Sequence, residues 1–551
     1  MTPAPSRLRT LFLGIPSMAG DALPWLAWVV MALAALPQLM YPLWFDQGAF
    51  AACGAALHAG GIFLRDCWEA RGPLTPLLYA IPMTFSAAPI AVRLFDVLWQ
   101  MATAVLLGMV TRDLFGRTAG NIAALVYFLM YASLNYWATA QAEGFANGLF
   151  IGAVWLVWRA TGTTGDGKSK GIASAFRLPW LLAAGFVAGL LFWSKYPFAL
   201  LAVALAVWTW RRSGFGAVTR YAGGVAAALL LGLVYFAGNG LLTELGQHLQ
   251  YAISTFNNVP LAQRWEWFTG IFWVEVKAFV SVGNIPTAGY KDTVIAADHV
   301  LGRGYPILMI LALVGAVYGL IGKETRRATF LALVYWGVAF ALQVWQGHSY
   351  RYHFVILLPP FALLIGAATR GRDGGLLSIR RWLAYLPVLA VFVAAYGMCV
   401  AIWPWTRDAI NNLIIERKPI NQVYAESRVS AYSTLGDFLR LKSAPGESVF
   451  VFGDTPAVYA LAERPMGARF PYLRWAKEGG DPAVRQAYTA ALLADLQAHR
   501  PRFFALPTVG MPSNDFDFQQ IWKEMTPVHD FVEANYGYIG EVGPYLLFER
   551  K

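Results

Sequence analysis

With 57% hydrophobic and only 14% charged residues over 551 positions, the chain is too poor in charge for a soluble domain, where about 25% is usual. A formal charge of +11 invites a nucleic-acid reading. The lysines and arginines instead fall in short runs between apolar segments, as in the cytoplasmic loops of membrane proteins, so the expected partner is a lipid bilayer and no nucleic acid.

A helical span needs about 20 apolar residues. The chain offers about eleven, at roughly 22–41, 89–110, 118–138, 145–160, 179–194, 197–210, 221–240, 304–322, 328–346, 353–369 and 383–403. Arg7 and Arg9 precede the first, and no small-residue cleavage site follows it, so it reads as a retained span rather than a signal peptide. The fifth and sixth are short and turn around "WSKYP", Trp193 to Pro197. Basic clusters at Arg112/Arg117, Arg159 through Arg177, Arg211/Arg212/Arg220, Lys323/Arg326/Arg327 and Arg370/Arg372/Arg380/Arg381 then share one face. The positive-inside rule makes that face cytoplasmic.

The opposite face receives a first outer loop over 42–88, the turn "QAEGFAN", "WSKYP", a long loop over 241–303, and "WQGHSYRYHF". It also receives everything after about Pro404. In the long loop, Trp265, Trp267, Phe268 and Trp273 suit the membrane–water interface. The tail, 404–551, is mixed in polarity and alternates strand-like runs ("SVFVFGD", "RFFALP", "GPYLLFER") with helical ones. That alternation predicts a small extracytoplasmic α/β domain with a largely parallel sheet. The expected fold is a polytopic α-helical membrane domain, 1–403, followed by this domain.

Cys53, Cys67 and Cys399 are too few and scattered for a disulfide framework or a metal site. Cys53 and Cys67 could pair only if both face an oxidising compartment. The outer loops hold no Asp-x-Asp, and the chain no HExxH, cysteine cluster or P-loop. Asp515 and Asp517 in "NDFDF" have Asp-x-Asp spacing but read as a loop in the tail.

Charges beside apolar spans are expensive and usually serve a function. On the outer face these are Asp46, Glu69, Arg71, Arg93, Asp96, Glu143, Lys195, His348, Arg351 and His353. Helix packing could gather them around one cavity. A base beside several anion-binding groups at the membrane surface suggests a lipid phosphate substrate. Arg93 and Asp96, spaced i,i+3, read as a structural pair.

"FDQGAFAACGAAL" followed by "DCWEARGPLTPLLY" resembles the first outer loop of the GT-C membrane glycosyltransferases, in the branch holding protein O-mannosyltransferases and the lipid A aminoarabinose transferase. "GLLFWSKYPFALL", "SYRYHFVILLPPFALLIGA" and "SVFVFGDTPAVYALAERPMGARF" resemble that group's lysine-bearing hairpin, late span and outer domain, in the same order. The resemblance implies a hexosyl or pentosyl transfer, with inversion, from a polyprenyl-phosphate sugar to an acceptor outside the cytoplasm. That acceptor is a glycan, a lipid or a protein. It also implies residence in the plasma (inner) membrane.

Asp46 matches the family's catalytic acid and would be the general base; its structural alternative is a helix cap. Gln47 departs from the second acid many members carry there. Arg71, where many members have Lys, would grip the leaving phosphate with its planar fork of donors. Glu69 would hold a divalent cation, the one candidate cofactor, or orient a sugar hydroxyl; a surface salt bridge to Arg65 or Arg71 is the alternative. Pro73 and Pro76 would start a re-entrant helix. Glu143 matches a second acidic position, against the reading of a solvated acid in a short turn. Lys195 would bind phosphate, or merely snorkel. Arg351 and His353 are further phosphate candidates, His353 also a metal-ligand candidate, against a plain interfacial role; His348 ranks below them.

Two other classes fit less well. A transporter or flippase for lipid-linked sugars commonly shows paired halves with interrupted helices, and none is evident. An oligosaccharide ligase of the wider GT-C class relies on Arg and His in a large outer loop, which the His348–His353 stretch keeps in view and the Asp46 motif opposes.

Overall fold

A computed structural model describes residues 28–134, 136–161, 172–257, 259–266, 269, 300–346, 351–369, 379–419, 430–478, 481–508 and 517–551. Arg7, Arg9, Trp267, Phe268, Trp273, His348 and Asp515 fall outside the described residues, as does the side chain of Arg351.

The first ten helices are α1 (Trp28–Leu39), α2 (Phe45–His58), α3 (Leu74–Met83), α4 (Pro89–Phe115), α5 (Arg117–Ala132), α6 (Ala142–Thr161), α7 (Ile172–Ser194), α8 (Ala199–Ser213), α9 (Phe215–Gly238) and α10 (Leu242–Asn257). A 3-10 turn, Tyr196–Phe198, joins α7 to α8. Helices Val300–Ile321, Arg326–Trp345, Leu358–Ala368 and Ile379–Ala409 complete the apolar part, with a 3-10 segment Arg351–Leu357 leading into the third.

Among the described residues, α4, α9 and Arg326–Trp345 are long and apolar enough to cross a bilayer, and six shorter apolar helices accompany them. The eleven spans of the sequence reading stand beside these three. Exposed Leu230, Leu231 and Val234 on α9 give that helix an apolar outer face, as expected where the surroundings are lipid tails. At ten residues, α3 is too short to cross; it starts directly after Pro73 and buries Thr75, Pro76 and Tyr79.

Among the described residues the tail holds a four-stranded sheet in the order β1–β2–β4–β3, from β1 (Val449–Val451), β2 (Phe503–Pro507), β3 (Tyr536–Val542) and β4 (Tyr545–Arg550). Only β1 and β2 run parallel; β2–β4 and β3–β4 are antiparallel. The expected largely parallel sheet is therefore corrected to a mixed one. The cause is β3, which reaches β4 through a tight turn and so must pair antiparallel, because a parallel pair needs a long crossover. Asp517 caps the helix Phe518–Glu524, accepting from the amides of Gln519 and Gln520.

The tail shares one core with the α2–α3 loop and α10. Trp68 of that loop and Tyr251 of α10 pack with Phe470, Tyr472, Trp475 and Tyr488 of the tail. The Trp68 amide donates to Arg469 O at 2.7 Å, and the Ala70 amide to Tyr472 Oη at 3.1 Å.

Candidate active site

Asp46 lies in the first turn of α2 and is 6% exposed. It does not cap the helix. That task falls to Gln47, whose Oε1 accepts from the Trp44 amide at 3.1 Å. Gln47 Nε2 also donates to the carbonyls of Tyr136, Trp137 and Thr139 at 2.8, 3.1 and 2.9 Å. A carboxylate has no proton to give three carbonyls, which accounts for glutamine rather than an acid at this position. At Gly48 a Cβ would overlap the backbone of Ala457, so α2 lies directly against the tail.

The following loop brings Arg71 to Asp46. Its Nη2 is 2.9 Å from Asp46 Oδ1 and its Nη1 is 2.8 Å from Glu69 Oε1. Glu69 is fully buried, not the surface partner of Arg65, which pairs with Asp66. Burial raises the Glu69 carboxyl above its ordinary range, and the nearby Asp46 adds to that, against the pull of Arg71. A disulfide between Cys53 and Cys67, Cα atoms 5.2 Å apart, ties α2 to the loop that carries Glu69 and Arg71.

A second cluster forms from four more segments. Lys195, between α7 and the 3-10 turn, is 2.6 Å from Glu143 Oε1 and 3.3 Å from His353 Nε2, and also donates to Gln346 Oε1. Glu143 belongs to the first turn of α6 and is fully buried, which corrects the reading of a solvated turn acid. Lys195 is 6% exposed and does not snorkel to the surface. His353 Nε2 stands 3.8 Å from Glu143 Oε1.

Tyr352 joins the clusters. Its hydroxyl lies 3.4 Å from Arg71 Nη2, and its ring centroid lies 6.0 Å from Lys195 Nζ. The backbones also meet: a Cβ at Gly72 would overlap the carbonyl of Trp193, two residues before Lys195. Sequence reading did not single out Tyr352, Gln346 or Gly72; only the position of Tyr352 beside His353 in "SYRYHF" pointed to it.

Arg93 and Asp96 do not pair with each other. Arg93 donates to Tyr41 O at 3.1 Å, to Thr139 Oγ1 at 2.9 Å and to Pro42 O. Asp96 accepts from the Tyr131 hydroxyl at 2.9 Å and the Ala140 amide at 3.0 Å. Both hold the turn that precedes Glu143, in which Ala140 takes a left-handed backbone (φ 55°) that costs a non-glycine residue energy.

The tail reaches the rim. Arg474 stacks over Phe45, 4.0 Å to the ring centroid, and pairs with the buried Asp454 at 2.5 Å. Among the described residues no group of three or more His, Cys, Asp or Glu has metal-holding geometry. Glu69 and His353 each face a cation from their own cluster, so this donor set does not fit a divalent ion.

No protein-family model and no curated protein matches the chain. Solved structures do. ArnT from Cupriavidus metallidurans bound to undecaprenyl phosphate is 14% identical with a TM-score of 0.54, over 96% of this chain and 98% of that one. The same protein in the apo state gives 13% and 0.55 over the same shares. Archaeal oligosaccharyltransferase AglB from Archaeoglobus fulgidus, in complex with an inhibitory peptide and a dolichol-phosphate, gives 12% and 0.49, over 96% and 74%. The ArnT likeness runs nearly end to end, and the chain shares the fold of that protein.

Proposed function

We propose that the protein is a multi-pass glycosyltransferase of the plasma (inner) membrane, with some eleven spans and an extracytoplasmic tail. It moves a sugar from a polyprenyl-phosphate donor to an acceptor hydroxyl, with inversion. The observation that carries this is the pairing of Asp46 with Arg71 beside a second buried cation, Lys195. In this reading the Asp46 carboxylate is the base, and the Arg71 and Lys195 cations are the two phosphate ligands.

The chemistry follows from the charges. A carboxylate held by a guanidinium is a weak base. The donor phosphate, arriving at Arg71 and Lys195, competes for the guanidinium and releases Asp46. Asp46 then takes the acceptor's hydroxyl proton. The acceptor oxygen bonds to the anomeric carbon on the face opposite the phosphate. The bond from that carbon to the phosphate oxygen breaks, and its electron pair leaves with the polyprenyl phosphate. Arg71 and Lys195 stabilise the charge that develops there, with Arg351 a third candidate at the head of its 3-10 segment. Each cluster also keeps one buried carboxylate oxygen, Glu69 Oε2 and Glu143 Oε2, with no hydrogen-bond partner among the described residues. Such oxygens are costly unless a ligand satisfies them, and sugar or acceptor hydroxyls are suited to do so.

The test is purified protein in nanodiscs with a panel of polyprenyl-phosphate sugars and cell-envelope acceptors, following release of polyprenyl phosphate. Release by the wild type and not by Asp46→Asn supports the reading. Donor binding without release from any member of the panel, or equal release by both proteins, counts against it.

A further inference from the structure

Outside the two charged clusters, α10 sends one buried polar side chain into the site's framework. His248 is fully buried. Its Nε2 lies 2.6 Å from the backbone carbonyl oxygen of Glu69, and its Nδ1 lies 2.7 Å from the hydroxyl of Tyr196. Phe63, Trp68 and Tyr196 enclose the ring edge-on, with centroids 6.0, 5.8 and 5.7 Å away.

The proton positions follow from the partners. A carbonyl oxygen only accepts, so Nε2 carries the hydrogen and donates it to Glu69. Nδ1 is then a lone pair and accepts from the Tyr196 hydroxyl. The ring is neutral, and burial pushes its pKa down to about 4. Glu69 stands two residues before Arg71, and Tyr196 one residue after Lys195. One imidazole thus bridges the two segments that carry the cations.

We propose that His248 is a positioning residue that fixes the separation of Arg71 and Lys195, so that both reach one lipid-linked phosphate. Its consequence for binding rests on the donor assignment above; the bridge itself does not. Nothing in the sequence pattern marked this histidine, because it sits in an amphipathic helix where a polar residue is ordinary.

The experiment compares full-length wild type, His248→Phe, His248→Gln, Tyr196→Phe and the Tyr196→Phe/His248→Phe double variant. Phenylalanine keeps a ring and loses both hydrogen bonds, whereas glutamine carries a donor and an acceptor. Deuterium uptake without lipid reads the bridge. Uptake should rise at residues 64–75 and 194–198 in His248→Phe, stay near wild type in His248→Gln, and stay unchanged over α4 and α5. Binding of undecaprenyl phosphate reads the consequence: about tenfold weaker in His248→Phe, roughly the loss of two hydrogen bonds, largely restored in His248→Gln, and no weaker in the double variant. Uptake at both segments unchanged in His248→Phe overturns the proposal. So does equal loosening in the Phe and Gln variants, which marks a purely packing role. Loosening confined to the two segments in a protein whose wild type binds no lipid phosphate supports the bridge and overturns the donor reading.

Discussion

Arg71 Nη2 stands 2.9 Å from Asp46 Oδ1, with both side chains almost out of contact with solvent. Under the proposed function the pair divides the labour between binding and turnover. Asp46→Asn keeps size and loses the base, so donor binding stays within a few-fold and turnover falls roughly 10²–10⁴-fold. Arg71→Ala removes the phosphate ligand and strands two buried carboxylates, so donor binding is lost and stability falls by about 3–5 kcal/mol. Arg71→Lys, which keeps the charge, separates the two effects by retaining the fold with weaker binding. Equal loss of donor binding in Asp46→Asn and Arg71→Lys would contradict this division.

Gln47 offers a sharper test of why this chain departs from the GT-C pattern it resembles. Gln47→Glu places a carboxylate against three backbone carbonyls that now receive hydrogen bonds. The loss of those donors costs roughly 3 kcal/mol or more. Denaturation midpoints should fall well below wild type, and below those of Gln47→Ala. An unchanged midpoint in Gln47→Glu means the residue is not the clasp between α2 and the 136–139 turn.

The cysteines test both the loop geometry and the compartment. With Cys53 joined to Cys67, denatured protein kept free of reductant should expose one alkylatable thiol, Cys399, of the three cysteines. After reduction it should expose three. Closing a loop of this size is worth about 3 kcal/mol, so reduced protein should denature earlier and bind the donor less tightly. Three reactive thiols before reduction would place the first outer loop in a reducing compartment and reverse the proposed topology.

Much of the candidate site was legible because charge is scarce here. Asp46, Glu69, Arg71, Glu143, Lys195 and His353 stand out among apolar neighbours, and the structure brings all six into two joined clusters. Their partners were not legible. Tyr352, Gln346, Tyr472 and His248 are residue types common at any membrane surface, and only tertiary contact selects them. The helix boundary was less legible: the span expected from 145 begins at Ala142, which puts Glu143 in the first turn of α6. The same holds for the sheet. Apolar runs revealed β1, β2 and β4, but β3 carries Gly537 and Gly540 and leaves Tyr538 and Ile539 exposed, a composition that reads as a turn.

Close backbone approach gives a prediction that charge cannot. The loop bearing Arg71 rests on the end of α7 at Gly72, where a Cβ would overlap the Trp193 carbonyl. Gly72→Ala must push the loop away from the Lys195 turn. A displacement near 1 Å costs on the order of 10²-fold in rate when reacting groups lose alignment. The expected result is a fall of that order in kcat/KM with little change in expression. Wild-type kcat/KM in Gly72→Ala would show that the two clusters act independently.

His248 supplies a pH dependence with a definite sign. Its folded pKa, about 4, lies below the ordinary 6.5 because burial disfavours the charged ring. The unfolded chain therefore takes up a proton between these values and the folded chain does not. The stabilisation is complete above pH 6.5, declines as pH falls, and is gone below about 4. Over that window it amounts to roughly 3 kcal/mol. Glu69 works in the opposite sense: its raised carboxyl pKa makes stability fall as pH rises. The informative quantity is therefore the difference between wild type and His248→Phe, which cannot titrate. Denaturation midpoints from pH 7.5 to 4 should drop more steeply in the wild type, and the two curves should converge toward pH 4. Parallel curves would mean that the folded protein carries a charged imidazole, and with it a second proton at Nδ1 that the Tyr196 hydroxyl would have to accept.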